Sequence, residues 1–359
     1  MMLQLIKPLT LALVAALAFG QLGRLPEITP GINVYAFDVL AMLLLLAWLP
    51  GAKVRLDGLK RAALYFALVA LMSFLAVRPE HEFYAWLASG AYLARWFLYF
   101  GLYLIYTDPR VLKLKLPLKK YLTNLALALG GIGLLQYLIL PDTRFLAFSN
   151  WDDHYFRVIG SLGDPSFLGL MLLLGLIISR KWLLLIPLFL TYSRSTYLAG
   201  LAVLATAAWF KRAWRFLAIG LLALAVVLPL LPRPGGEGVN LLRWFSVEQR
   251  WDNYTEGFNL WRQSPLLGVG FNTLRAIRGD YVSHAASGLD NSFLFVAATT
   301  GIIGLLFYLN LLRRLWQNGG EIVKLSLVAV IVHSFFQNSL FYPLVMIWLW
   351  LLLASNQQD

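Results

Sequence analysis

Long apolar runs, each bounded by a few polar residues, recur from one end of the chain to the other. Each runs about 15–25 residues, the length that spans roughly 30 Å of hydrocarbon as a helix. The runs fall at 3–20, 32–50, 59–77, 83–106, 118–140, 165–179, 182–192, 195–210, 216–232, 290–312, 322–340 and 342–354. They lack the period-2 alternation of a membrane β-barrel, and backbone groups in lipid must be satisfied within the segment. The pattern predicts an all-α, polytopic transmembrane bundle of ten to twelve helices, twelve being the best reading, with residues 1–359 forming one membrane domain. The seventh and eighth runs are short and predict a broken pair meeting at Ser193–Arg194. Lys7 before the first run and Ala16-Leu17-Ala18 after its apolar centre also fit a signal peptide, but the run's length favours a retained helix.

Composition supports the bilayer as solvent: 60% of residues are hydrophobic, above the roughly 45–50% of soluble domains. The absence of cysteine excludes disulfides and thiolate chemistry, and His81, His154, His284 and His333 stand too far apart in sequence to suggest a metal site. No phosphate-binding glycine loop appears, so no metal, nucleotide or other cofactor is expected.

The net charge of +12 reads as topology and not as nucleic-acid binding. With the N-terminus inside, basic clusters at Lys53–Arg61, Arg110–Lys120, Arg180/Lys181, Lys211–Arg215 and Arg313/Arg314 all face the cytoplasm, as does the C-terminus. Every lysine then lies on that side, and the outer face carries its positive charge as arginine alone. Arginine offers phosphate a planar two-pronged donor where lysine offers a point charge. Selection against translocated lysine explains the bias equally well for the set as a whole.

Two outer segments exceed simple turns. Residues 141–165 contain Asp152, Asp153, His154, Arg157 and Gly163-Asp164-Pro165. Residues 233–289 open on a Pro/Gly linker, and Trp251, Tyr254, Phe258 and Trp261 then recur at helical spacing. That spacing predicts an amphipathic helix lying on the bundle or at the membrane interface. Long loops of this kind tend to carry function.

Several residues stand out chemically. Ser193-Arg194-Ser195 places a charge at membrane depth, which is costly and functional by default, although an interfacial arginine reaching headgroups is the competing reading. Asp38, Arg95 and His333 also fall in apolar runs, where structural pairing is an equal alternative. Arg250 opens the loop helix, which ends in Ser264-Pro265-Leu266-Leu267-Gly268-Val269-Gly270. Asp290-Asn291 stands at the mouth of the tenth run, ahead of Ala297, Ala298, Gly301 and Gly304, small residues that permit close helix packing. Asp290 suits a helix N-cap as well as a chemical role.

The segments LTYSRSTYLAG (190–200), RWDNYTEGFNLWRQSPLLGVGFNTL (250–274) and DNSFLFVAATTGIIGLLFYL (290–309), with GSLGDPSFLGL (160–170) more weakly, resemble the O-antigen ligase/polymerase family in order and spacing. The resemblance covers roughly 150–310; the N-terminal part shares only its hydrophobic helical character. It implies a glycosyltransferase of the bacterial inner membrane, active on the periplasmic side, with an undecaprenyl-diphosphate-linked glycan as donor. The acceptor would be the lipid A core or another glycan. By match, Arg194 and Arg250 hold the diphosphate, with Ser193, Asn291, Arg157 and Asp164 as further binding candidates. The family's ligases carry histidine where this chain has Asp290, so either Asp290 or His284 is expected to act as the base. That departure leaves ligase and polymerase both open. A transporter or flippase of lipid-linked glycan is the alternative from another class, but no internal repeat supports it. A non-catalytic scaffold is the third.

Overall fold

The computed structural model describes residues 2–26, 32–76, 83–149, 152, 154–280 and 288–357. Among these the architecture is helical: α1 (Ile6–Phe19), α2 (Ala36–Trp48), α3 (Gly58–Ala76), α4 (Phe83–Tyr106), α5 (Pro109–Leu112), α6 (Leu118–Ile139), α7 (Pro165–Ser179) and α8 (Leu185–Phe189) come first. Then follow α9 (Arg194–Lys211), α10 (Arg215–Leu230), α11 (Phe245–Gln263), α12 (Leu274–Arg278), α13 (Ser292–Asn318), α14 (Glu321–His333) and α15 (Pro343–Ser355). No strand forms among the described residues, only isolated bridges such as Arg24–Tyr35. The chain is an all-α membrane helical protein. Helical segments 3–23, 58–76, 118–139 and 292–318 are long and apolar enough to cross a bilayer; α2, α7, α10 and α15 are apolar but shorter.

Burial separates the centre from the rim. In α15 every residue from Leu344 to Ser355 is buried, whereas α10 buries none. An apolar helix exposed all round would be an aggregation surface in water, and lipid is the solvent that suits it. The principal pairings are α3 with α13, α9 with α14, and α1 with α2.

Two predicted runs are shorter as helices than the sequence suggests. Residues 182–192 form a three-residue 3-10 turn and the five-residue α8, a helical piece of about 12 Å that cannot span alone. It runs alongside α7, with Leu184 against Gly175 and Thr191 beside Gly169. The run at 322–340 stops being α-helical at His333, and turns carry the chain on to Pro343.

The intramembrane charges in the N-terminal half satisfy each other. Arg95 donates to the Asp38 carboxylate at 2.8 and 3.1 Å, and the Tyr99 hydroxyl donates to the same group at 2.5 Å. Asp38 also accepts from the Tyr35 amide, closing the first turn of α2. For Asp38 and Arg95 the structural pairing is therefore what forms.

The loop after α11 is built into α13. Gly301 sits inside α13 at φ +66°, ψ −172°, a conformation closed to side-chain-bearing residues, and breaks the helix there. The backbone of Pro265–Val269 enters the break: Ile302 N–H donates to the Pro265 carbonyl (2.8 Å), and Val269 N–H donates to that of Ala298 (2.9 Å). Ser73 Oγ donates to the Thr299 carbonyl from the other side (2.6 Å). The small residues were expected to permit helix packing; Gly301 instead admits a backbone segment.

Candidate active site

The N-termini of three helices meet around the turn that follows α14. Each is capped by a side chain accepting backbone amides, the usual way of satisfying the orphan donors of a first turn. Asp164 Oδ1 caps α7, accepting from Ser166 N (2.6 Å) and Phe167 N (2.8 Å). Ser193 caps α9 through Thr196 N, and Asn291 Oδ1 caps α13 through Phe293 N (2.9 Å) and Leu294 N (3.0 Å). Phe167 of α7 lies 6.3 Å from the His333 ring, Ser195 of α9 hydrogen-bonds that ring, and Ser292 N–H donates to the Ser334 carbonyl. Positive helix ends gathered in this way favour an anion.

Arg194 and Arg250 stand over this junction. The buried Tyr192, in left-handed backbone at φ +51°, reverses the chain so that α9 starts at Arg194. Arg194 donates to the carbonyls of Arg243 (3.0 Å) and Leu241 (3.4 Å) and to Ser246 Oγ. Ser246 is in the first turn of α11, so Arg194 fastens that helix over the site. One turn further on, Arg250 donates to the carbonyls of Ser246 and Phe336, each at 3.3 Å, and lies over the Phe336 ring. Among the described residues neither guanidinium is ion-paired with a carboxylate. Both are half-buried, so their charge is neither neutralised nor fully hydrated.

Asp290 completes the group. Its backbone amide is held by Asn253 Oδ1 of α11 (2.7 Å). Because Asn291 takes the capping role that Asp290 was suited to, the Asp290 carboxylate makes no hydrogen bond or ion pair among the described residues. Burial raises its pKa above the usual carboxylate range, Arg250 pulls it back, and Asp164 and Asp152 push it up. Arg250 and Asp290 therefore share one electrostatic environment. The hydroxyl of Tyr254, one turn after Arg250, lies against Asn291.

Residues 181–309 match the family model described as O-antigen ligase. That segment, about a third of the chain, is what resembles the O-antigen ligase family. No curated protein matches the chain. The family supports glycan transfer of the ligase or polymerase type. Arg194, Arg250 and Asp290 all lie inside the matched segment.

Other parts of the candidate site lie outside that segment. Arg157 is buried, and its Nε donates to the Thr191 carbonyl at 2.9 Å. Burial first, then the nearby Arg243 and Arg194 guanidiniums, push its pKa down to about 9, while Asp164 opposes them. An anion among these guanidiniums would relieve both the desolvation and the repulsion. Asp164 is itself raised by burial, against its two backbone hydrogen bonds and Arg157.

The structure thus brings together Arg157, Asp164, Ser193, Arg194, Arg250, Asp290 and Asn291. Ser193 and Asn291 have their acceptor oxygens engaged as caps. His284 lies outside the described residues. Sequence reasoning passed over Arg243, which donates to the carbonyls of Gly238 and Asn240 (each 3.0 Å) and sits within the Arg157 field. Its signal was available: it is an arginine of the lysine-free outer loop, just ahead of α11 and Arg250.

Proposed function

We propose that this protein transfers a glycan from an undecaprenyl-diphosphate carrier to an acceptor hydroxyl on the outer side of the bacterial inner membrane. We favour a ligase acting on the lipid A core or another surface acceptor. One observation carries the reading: among the described residues, two arginines free of carboxylate partners stand at converging helix N-termini, beside a carboxylate free of hydrogen bonds. The acceptor oxygen attacks the anomeric carbon while its proton passes to Asp290. The bond from that carbon to the diphosphate breaks, and the electron pair leaves on the diphosphate oxygen. Arg194 and Arg250 stabilise the charge arriving there, the kind of contribution that is usually the largest in such sites. The guanidiniums supply the positive charge, so the reaction requires no metal and should withstand chelators.

Orientation follows from α9, which runs from Arg194 to Lys211. If the lysine-bearing end faces the cytoplasm, as charge bias dictates, both termini are cytoplasmic and the site opens outward. The donor's lipid tail then lies in the bilayer against the exposed apolar helix faces.

Reconstitution with a lipid-diphosphate oligosaccharide, with and without a lipid A core acceptor, tests the reading by mass spectrometry of the products. A single adduct on the core establishes a ligase. A ladder of repeats without added acceptor replaces it with a polymerase. Movement of intact donor across the bilayer with no transfer overturns the enzyme reading in favour of transport.

A further inference from the structure

We propose that His333 is a positioning residue of the transfer site, holding the arginine-bearing end of α9 in register with α11 and α13. The inference rests on the glycan-transfer reading above and concerns a residue beyond the segment the family model covers.

His333 closes α14 and is wholly buried. Its Nε2 lies 3.1 Å from Ser195 Oγ, and its Nδ1 lies 2.7 Å from Ser339 Oγ. Ser195 Oγ in turn lies 3.1 Å from Ser193 Oγ, which also accepts from Thr196 Oγ1 at 2.9 Å. The two serines flank Arg194 in sequence, so the chain of hydroxyls starting at His333 fixes the turn from which Arg194 projects. A neutral imidazole donates at one nitrogen and accepts at the other, so both ring positions are used.

The turn that His333 begins reaches the other two elements of the site. The Phe336 carbonyl accepts from Arg250 Nε. Ser334 and Gln337 carbonyls accept from Ser292 N and Oγ, and Ser292 Oγ accepts from Leu340 N. Ser292 lies two residues after Asp290. One turn, anchored through one imidazole, therefore sets the relative placement of both arginines and the carboxylate. A satisfied core histidine would need partners of any kind; this one joins the start of α9, through Ser195, to the turn, through Ser339, and that turn's backbone in turn holds α11 and α13. A displacement of about 1 Å in such groups costs roughly a hundredfold in rate.

The test compares His333→Ala, His333→Gln, His333→Asn and Ser195→Ala in the reconstituted transfer assay, with rates normalised to folded protein. Glutamine places its amide near the Nε2 position and asparagine near Nδ1. The expected result is a ten- to hundredfold loss of kcat for H333A and S195A, with the donor KM changed less than threefold. H333Q should recover most of the rate and H333N little, and the H333A/S195A double variant should be no worse than H333A. Leu327→Ala, buried in the same helix, supplies the comparison: its Tm should fall while its rate per folded molecule holds. If H333A resembles L327A, or if asparagine restores activity and glutamine does not, the positioning role is wrong and the functional reading stands. If H333A does not fold, S195A, which deletes a single hydroxyl, decides the matter by the same kcat criterion. Absence of transfer by the unaltered chain overturns the functional reading and this inference with it.

Discussion

Replacing Gly301 with alanine tests whether the broken helix is a device that holds the site together. A Cβ at this position would lie 2.1 Å from the Leu266 carbonyl oxygen and 2.5 Å from Leu267 N. Both are backbone atoms, so no side chain can swing aside. The backbone region itself costs a non-glycine residue about 1–3 kcal/mol. If the loop withdraws to admit the methyl group, the Ile302 N–Pro265 O and Val269 N–Ala298 O hydrogen bonds break. Leaving buried backbone groups unpaired costs about 1–3 kcal/mol each. The sum, about 3–9 kcal/mol, rivals the whole stability of an ordinary domain, about 5–15 kcal/mol.

The separate membrane helices have no reason to unravel, so the loss should fall on the docked segment. That segment continues directly from α11, and α11 carries Arg250. We expect Gly301→Ala to lower transfer more than a hundredfold, with a lowered Tm, by radiolabelled glycan transfer and thermal unfolding in the same detergent. Gly268→Ala meets the other side of the same contact, 2.3 Å from the Thr299 carbonyl carbon at φ +73°, and should behave alike. The double variant should add little. Gly131, exposed in α6 with nothing within 4 Å of where a Cβ would stand, is the control: alanine there should be neutral or stabilise by up to about 1 kcal/mol. Full activity and an unchanged Tm for Gly301→Ala would refute the docking argument.

Arg194→Ala and Arg250→Ala should each lower kcat about 10²–10³-fold, the loss typical of one transition-state donor; Arg194→Lys, measured in the same assay, should restore only part because the two-pronged geometry is gone. Asp290→Asn should lower transfer roughly 10²–10⁴-fold while leaving donor binding intact, which a binding measurement with labelled donor would check. Asp38→Ala leaves Arg95 buried beside Tyr99 without its carboxylate and should cost about 3–5 kcal/mol in unfolding experiments, with the rate per folded molecule unchanged. Transfer by the unaltered protein should decline on its acidic side at a pH above the ordinary carboxylate range, since burial raises Asp290 and the base is lost once protonated. Arg250→Gln should move that decline to higher pH, because Arg250 is the neighbour holding the value down.

Helix type was legible in the sequence because apolar runs in lipid leave the backbone no alternative. Boundaries were less so. Residues 182–192 are apolar enough for a span, but α8 ends at Phe189 and the left-handed Tyr192 turns the chain, and only contact with α7 shows the segment running beside it. Arg194, Arg250 and Asp290 could be picked out as charges at the mouths of apolar runs and by their resemblance to a family. The competition for the α13 cap could not be read, since aspartate and asparagine fill that role about equally well; Asn253 holding the Asp290 backbone accompanies the outcome. The pairing of Asp38 with Arg95 joins residues far apart in the chain and has no local signal. The destination of the Pro265–Val269 turn was equally hidden, because what it needs is a gap in a helix.

The freed carboxylate and the arginine clamp act on each other in a way that suits transfer. An aspartate is a weak base at its ordinary pKa, and a histidine would outperform it. Here burial has already raised Asp290, and the main opposing influence is Arg250. Arg250 is also the group that we propose engages the donor's diphosphate. Once two negative charges sit on the guanidiniums, Arg250 no longer offsets burial, and the carboxylate is pushed further toward a useful basicity. The donor would thus strengthen the base that activates the acceptor. Without donor the carboxylate remains a poor base, which limits proton abstraction from water while the site is empty of substrate. A histidine in the same place would feel the same Arg250 coupling, but burial would lower its pKa where it raises that of the carboxylate. The exchange of imidazole for carboxylate is therefore chemically workable because the base stands beside the clamp and is not already spent as a helix cap.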